Sequence, residues 1–162
     1  MYGIAPSRFQ AIKIVEAQTP ILSADEWLAR GDLDLPRQVV ADYGDRYFIS
    51  TILDMPFSEA SDFLGFKGLM LSQCRNPDRL RHLLQRRLEH SQEAMQAWAA
   101  TGIHGVYAQE VFAGADMISP RDYDQFGFAH NQPYFQHMSV LGLPPIHYAC
   151  GDFSHSAPAA PG

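Results

Sequence analysis

The fold is decided by residues 76–112, NPDRLRHLLQRRLEHSQEAMQAWAATGIHGVYAQEVF, in which a long helix leads directly into a strand. The helix begins at Asn76-Pro77-Asp78, where a capping residue precedes a proline and an acidic side chain in the first turn. Apolar residues then recur at steps of three and four: Leu80, Leu83, Leu84, Leu88, Met95, Trp98 and Ala99. This spacing predicts an amphipathic helix near residues 77–101, and we expect four of these side chains to pack against a sheet: Leu84, Leu88, Met95 and Trp98.

Three short segments rich in β-branched and aromatic residues predict buried strands, at residues 47–54, 104–111 and 145–149. Each strand is separated from the next by a helical segment long enough to return the chain in the same direction. The order therefore predicts an α/β fold with parallel strands. Between the first strand and the long helix, Phe57 to Leu64 predicts a short helix that Gly65 ends.

Two further helix starts are recognisable from their capping residues. Ser23-Ala24-Asp25-Glu26 has the pattern of a capping box, and Ser119-Pro120 opens a helix in the second crossover. Pro36 suits the first turn of another helix, which Gly44 ends.

Composition excludes several classes of protein. The chain has 162 residues and a formal charge of −6, with 12 basic and 18 acidic residues, so we expect no nucleic-acid partner. No apolar run approaches the ~18 residues that span a bilayer, and the first residues lack the pattern of a signal peptide. Two cysteines, Cys74 and Cys150, do not form a disulfide framework. We therefore expect a cytoplasmic protein without a membrane partner.

Several motifs then point to one family. Residues 113–126 place Ile-Ser-Pro at the start of a helix that bears a Tyr and a Phe, and Gln132-Pro133-Tyr134 supplies a Pro-Tyr pair. The last strand ends in Cys150-Gly151, and Met55-Pro56-Phe57 precedes a later Leu-Gly. In order and spacing these motifs resemble the uroporphyrinogen decarboxylase superfamily, which also contains zinc-dependent methyltransferases that act with corrinoid proteins.

The resemblance implies a partial TIM-type barrel, because such barrels typically need roughly 250 residues and the motifs match its central portion. We expect a partial barrel domain over residues 1–152 and a disordered tail over residues 153–162. The family is enzymatic, but a chain without much of the barrel is expected to show little turnover alone. The chain is thus interpreted as a fragment of a decarboxylase or of a methyltransferase-like enzyme. The alternative is a non-catalytic half-barrel that binds a partner or self-associates through uncovered sheet edges.

Working residues of parallel α/β folds lie at the carboxyl ends of strands. This placement gives four catalytic candidates: Asp54, Glu110, Asp116 and Tyr148. Each of the first three also has a structural interpretation: helix capping for Asp54, an ion pair for Glu110, and loop ordering for Asp116. We expect the carboxylates to converge with the end of the last strand at one end of the sheet.

His147 and Cys150 are the candidate metal ligands, since zinc prefers imidazole and thiolate, and Glu110 is the third donor that we nominate. In the methyltransferase branch the His and Cys lie two residues apart, whereas here they lie three apart. Strand alternation therefore separates His147 from Cys150 unless the cysteine lies in the turn. If the Cys-Gly is matched instead, Tyr148 occupies the ligand position.

Cofactor and partner follow from the branch of the family. A methyltransferase implies zinc and a methyl-corrinoid protein as partner, whereas a decarboxylase implies a tetrapyrrole substrate and no cofactor. Decarboxylation also requires cations that hold the substrate carboxylates, and the arginines of this chain cluster on the long helix.

Overall fold

The computed structural model describes residues 15–153, which form a parallel sheet covered on one side by helices. The described sheet has three strands: β1 (Ser50–Asp54), β2 (Gly105–Glu110) and β3 (Pro145–Ala149). They lie in chain order, and both pairs are parallel. The predicted parallel α/β fold is therefore confirmed. The predicted tail lies outside the described residues except for Phe153.

Helices α1 (Ala24–Ala29) and α2 (Asp34–Tyr43) precede the sheet. The capping box at the start of α1 is confirmed: the Ser23 backbone N–H donates to Glu26 Oε2 at 2.8 Å, and the Glu26 N–H donates to Ser23 Oγ at 3.3 Å. Helix α2 ends at Gly44, as predicted, where the glycine N–H donates to the Val40 carbonyl.

Two long helices, α3 (Pro56–Arg75) and α4 (Pro77–Ala99), connect β1 to β2. The prediction that the helix after β1 ends at Gly65 was only half right. Gly65 does interrupt α3, with φ of 65°, but the helix resumes and continues to Arg75. A glycine adopts this left-handed conformation without strain, so the chain turns and brings Leu69 into the core. At the start of α4 the proline is in the first turn, but Asn76 makes no side-chain capping bond.

The second crossover begins with the short helix α5 (Pro120–Asp122), continues as a π-helical segment (Tyr123–Phe128) and ends in α6 (Ala129–Val140). The Ser119 hydroxyl accepts a hydrogen bond from the Asp122 N–H at 3.2 Å, so the predicted helix start is confirmed. A Cβ atom on Gly127 would lie 2.8 Å from the Tyr123 ring, so the π-helical segment packs closely only with glycine there.

The core has two clusters that α4 bridges. Leu88 and Met95 pack with strand residues Val106 and Ala108, and Trp98 packs against the same cluster. Leu84, which we expected against the sheet, packs instead in the other cluster: Phe57, Leu69, Leu80 and Phe126 are among its members. A helix of 23 residues is about 34 Å long, whereas strands of five or six residues are about 17–20 Å long, so the first half of α4 extends past the sheet.

The sheet has one covered and one open face. Val106, Ala108 and Glu110 of β2 point into the helical layer and have no exposed surface. On the opposite face Ile52 and Tyr148 are 59% and 51% exposed. The helices thus cover only one side, as on the outer side of a barrel wall. No helix among the described residues is long and apolar enough to span a membrane.

Candidate functional site

Three polar side chains lie side by side where the strands end. Asp54 of β1 pairs in register with Gln109 of β2, and Gln109 pairs with Tyr148 of β3. Strand alternation puts Gln109 on the opposite face from the buried Glu110, and therefore on the open face. Cys150 follows Tyr148 by two residues. The carboxyl edge of the open face is the candidate functional site: Asp54, Gln109, Tyr148 and Cys150.

Tyr148 and Cys150 interact directly. The proximity of the Cys150 side chain raises the pKa of Tyr148. The thiol is half-buried, whereas the phenol ring is exposed. The open face thus presents a thiol and a phenol side by side.

Asp54 lies at the other side of the site and faces a cavity of about 220 Å³, lined also by Glu59, Asp62 and His90. Desolvation raises the pKa of Asp54, and the charge of Asp62 raises it further. The Arg87–Glu59 ion pair lies behind this cavity, with Arg87 almost fully buried. A carboxyl group with a raised pKa at a strand end is suited to accept or donate a proton.

Glu110 is on the covered face, opposite Gln109 and Tyr148. Its side chain has no exposed surface and accepts hydrogen bonds from Asn131 Nδ2 at 2.6 Å and from Ser58 Oγ at 3.4 Å. Burial raises the pKa of Glu110 to about 7, against the opposing effect of both hydrogen bonds. The ion pair that we considered for Glu110 is absent from its described contacts, and neutral donors take that role.

Asp116 is in the loop after β2, where it contacts the loop that follows β3. The Asp152 N–H donates to Asp116 Oδ1 at 3.4 Å, and a Cβ atom on Gly151 would lie 2.8 Å from the same oxygen. Gly151 has φ of 99°, which glycine adopts readily. These contacts agree with the loop-ordering interpretation of Asp116.

His147 lies on the covered side of β3. Its ring contacts Phe135 and Phe153 at centroid distances of 5.5 and 5.7 Å, and it lines a cavity of about 430 Å³ beside α6. Desolvation lowers the pKa of His147. Alternation along β3 directs His147 to the covered face, whereas Cys150 lies just past the end of β3, beside Tyr148 on the open face. Residues 15–153 contain no group of three His, Cys, Asp or Glu side chains that could hold a metal ion. The described residues do not fit a zinc ion.

Sequence reasoning missed part of this arrangement. It did not nominate Gln109, yet Gln109 and not Glu110 lies on the open face. It did not identify the partners of Glu110, Ser58 and Asn131, which lie 52 and 21 residues away in sequence. The alternation of β2 leaves open which of its faces the helices cover, and no local signal marks Ser58 or Asn131.

The architecture is that of successive βα units of a TIM-type barrel, with helices on the outer face and polar groups at the carboxyl ends of parallel strands. Residues 33–160 match the family model described as Uroporphyrinogen decarboxylase (URO-D), and the chain therefore belongs to this family. The predicted family and the partial barrel are both confirmed.

A solved structure shares the fold. It is a methyltransferase from Methanosarcina mazei, which superposes with a TM-score of 0.68 at 21% sequence identity. The match covers 76% of this chain and 36% of that one, so the chain spans about a third of the length of that structure. No curated protein matches the chain significantly.

Proposed function

We propose that this chain forms part of the substrate-facing wall of a uroporphyrinogen decarboxylase-family enzyme, on the methyl-transfer side of the family. The carboxyl edge of the open face carries the proposal, because its four described side chains are a carboxylate, an amide, a phenol and a thiol, and none of the four is a cation. The likeness in fold to a methyltransferase agrees with this proposal.

The absence of cations argues against a carboxylate-rich tetrapyrrole as substrate. None of the three described strands contains Lys or Arg. Several arginines of the helices are engaged by acidic side chains, such as Arg87 with Glu59 and Arg81 with Asp78. Substrate carboxylates bound at this edge would therefore meet Asp54 and no compensating charge.

The roles of the site residues follow from their chemistry. Cys150 is the nucleophilic thiol of the wall, since a thiol, once deprotonated, is the strongest nucleophile among these groups. Tyr148 lies beside Cys150 and supplies a phenol O–H that can donate a hydrogen bond to the thiol. Asp54, with its raised pKa, is the proton-exchanging group at the opposite side of the edge. Because the described residues do not fit a zinc ion, these roles do not depend on one.

A titration of the full chain with two tetrapyrroles tests the proposal. We expect methylcobalamin to bind and uroporphyrin, which is rich in carboxylates, to remain free, as followed by the visible absorbance of each ligand. Tyr107→Ala removes an aromatic side chain from the open face and should weaken binding. Val140→Ala is the matched control, because Val140 is 82% exposed on α6 and lies outside the open face. Uroporphyrin binding that excludes methylcobalamin would instead support a decarboxylase.

Metal analysis of the purified chain is a second test. We expect no stoichiometric zinc, because a third ligand is lacking among the described residues. Stoichiometric zinc that resists chelators and is lost in Cys150→Ser would show that the proposed metal-independent role of Cys150 is wrong.

A non-catalytic, self-associating half-barrel is the second candidate function. The open face favours it, because a groove of about 760 Å³ there is lined by Ile52, Tyr107 and Tyr148. Exposed apolar surface of this kind is typical of interaction sites. Sedimentation velocity over a range of concentrations tests it: a dimer that Ile52→Lys dissociates and Val140→Lys leaves intact would support this function.

A further inference from the structure

The end of β2 holds the ends of both neighbouring strands. The Met55 N–H, directly after β1, donates to the Gln109 carbonyl at 2.9 Å. The Cys150 N–H, directly after β3, donates to the Glu110 carbonyl at 3.0 Å. The position of Cys150 at the open face therefore depends on where the backbone of Glu110 is held.

The Glu110 side chain fixes that backbone to two helices. Asn131 Nδ2 of α6 donates to Oε2 at 2.6 Å, and Ser58 Oγ of α3 donates to Oε1 at 3.4 Å. Ser58 Oγ also accepts a hydrogen bond from the Val111 N–H at 2.8 Å, so the same hydroxyl contacts both the Glu110 carboxylate and the peptide N–H that follows Glu110. One carboxylate thus joins the end of β2 to the helical layer at two points.

Burial by itself does not explain a carboxylate at this position. The two preceding side chains on the covered face, Val106 and Ala108, are apolar and pack without polar partners. A buried carboxyl group is costly unless its hydrogen bonds are made, whereas an apolar side chain of similar size would bury more favourably. Hydrogen bonds between polar groups in a core are directional, and here they fix the position of the end of β2 relative to α3 and α6.

We infer that Glu110 is a positioning residue that acts through its own backbone to hold the Cys150 thiol at the open face. The inference rests on the proposed function, in which that thiol belongs to the substrate-facing wall. Glu110 itself does not reach the open face, so it is not a catalytic residue.

The chain contains its own internal standard for a test. Its two cysteines are Cys150, which is half-buried at the site, and Cys74, which is exposed in the part of α3 beyond the Gly65 break. The full-length chain is treated with iodoacetamide, and mass spectrometry of its peptides gives the ratio of the alkylation rates of Cys150 and Cys74. This ratio is measured without substrate, so it is independent of whether the proposed methyl-transfer function is correct.

We expect Glu110→Ala to raise the ratio roughly tenfold, which corresponds to about 1.4 kcal/mol of lost restraint on the strand end. Glu110→Gln keeps an acceptor for Asn131, so its alkylation ratio should stay within roughly twofold of the wild-type ratio. If the role of Glu110 were purely electrostatic, the neutral amide would not preserve the ratio. Asn131→Ala removes one of the two anchors and gives the same direction of change if Glu110→Ala does not fold.

Leu84→Ala is the destabilised control. It opens a cavity in the cluster away from the sheet, so it lowers the free energy of unfolding without contacting the Glu110 network. If Leu84→Ala raises the ratio as much as Glu110→Ala does, the effect is general loosening and the inference is wrong. An unchanged ratio in both Glu110→Ala and Asn131→Ala also overturns it. If the wild-type chain does not bind methylcobalamin, the result contradicts the proposed function but not the inference about Glu110.

Discussion

The two faces of the sheet have opposite characters although the same strands form them. The covered face of β2 consists of Val106, Ala108 and Glu110, all without exposed surface and all with packing or hydrogen-bond partners in the helices. The open face carries Tyr107 and Gln109 from the same strand, with Ile52 and Tyr148 beside them. The packing that stabilises the described residues therefore lies on one face, and the candidate chemistry lies at the carboxyl edge of the other. This agrees with the location of TIM-barrel sites at the carboxyl ends of the strands.

The largest change in the free energy of unfolding is expected when a core side chain on the covered side of the sheet is truncated. Leu84→Ala should lower the free energy of unfolding by about 2–5 kcal/mol, because a fully buried leucine leaves a cavity when truncated. Urea denaturation measures this change. Leu35→Ala is the control, since Leu35 is 72% exposed on α2 and should change stability little. An equally large loss of stability in Leu35→Ala would contradict the assignment of stability to the buried side chains of the covered side.

The second prediction concerns Glu110, the one acid on the covered face of the three described strands. The pKa of Glu110 is raised from 4.5 to about 7, so the folded chain binds a proton that the unfolded chain has released over this range. The resulting stabilisation is fully present below about pH 4.5 and is lost as the pH rises through about 7, and it amounts to about 3 kcal/mol.

Denaturation of the wild type and of Glu110→Gln at pH 4.5 and 7.5 isolates this effect. The stability of the wild type relative to the variant should fall with increasing pH. The pKa of His90, which is lowered to about 4 chiefly by burial, gives the opposite slope, but it is present in both proteins and cancels in the difference. A difference that does not depend on pH would show that Glu110 remains ionised.

A smaller effect is expected where the helical layer contacts the end of β1. The Tyr134 hydroxyl donates to the Leu53 carbonyl at 3.3 Å, and the ring has no exposed surface. Tyr134→Phe removes this bond and keeps the ring, so the loss of stability should be about 1 kcal/mol. A loss comparable to that of Leu84→Ala would mean that the hydroxyl holds more of the sheet than this one contact indicates.

The smallest effect is expected on the open face. Ile52→Ala should change the free energy of unfolding by less than about 0.5 kcal/mol at concentrations where the chain is monomeric, because Ile52 is 59% exposed. Denaturation at two protein concentrations separates this from self-association. A large loss at low concentration would show that the open face is covered within the monomer.

The sequence determined the local elements and their order. The alternation of strands and long helices was enough to predict parallel βα units, and the capping residues at Ser23 and Ser119 located two helix starts, because these signals act within a few residues of the chain. The family motifs added the barrel, of which this chain forms part. Local signals also gave the break at Gly65, but not that the helix resumes beyond it.

Only the tertiary structure decided which face of β2 the helices cover. Alternation places Gln109 and Glu110 on opposite faces, but it does not show which of these faces the helices cover. That depends on Ser58 and Asn131, which reach Glu110 from distant parts of the chain. The same is true of Leu84, whose spacing fits the apolar stripe of α4 but whose height along the helix lies beyond the sheet. Periodicity specifies the direction in which a side chain points from the axis of its helix or strand, whereas the partners of that side chain depend on how separate elements pack together.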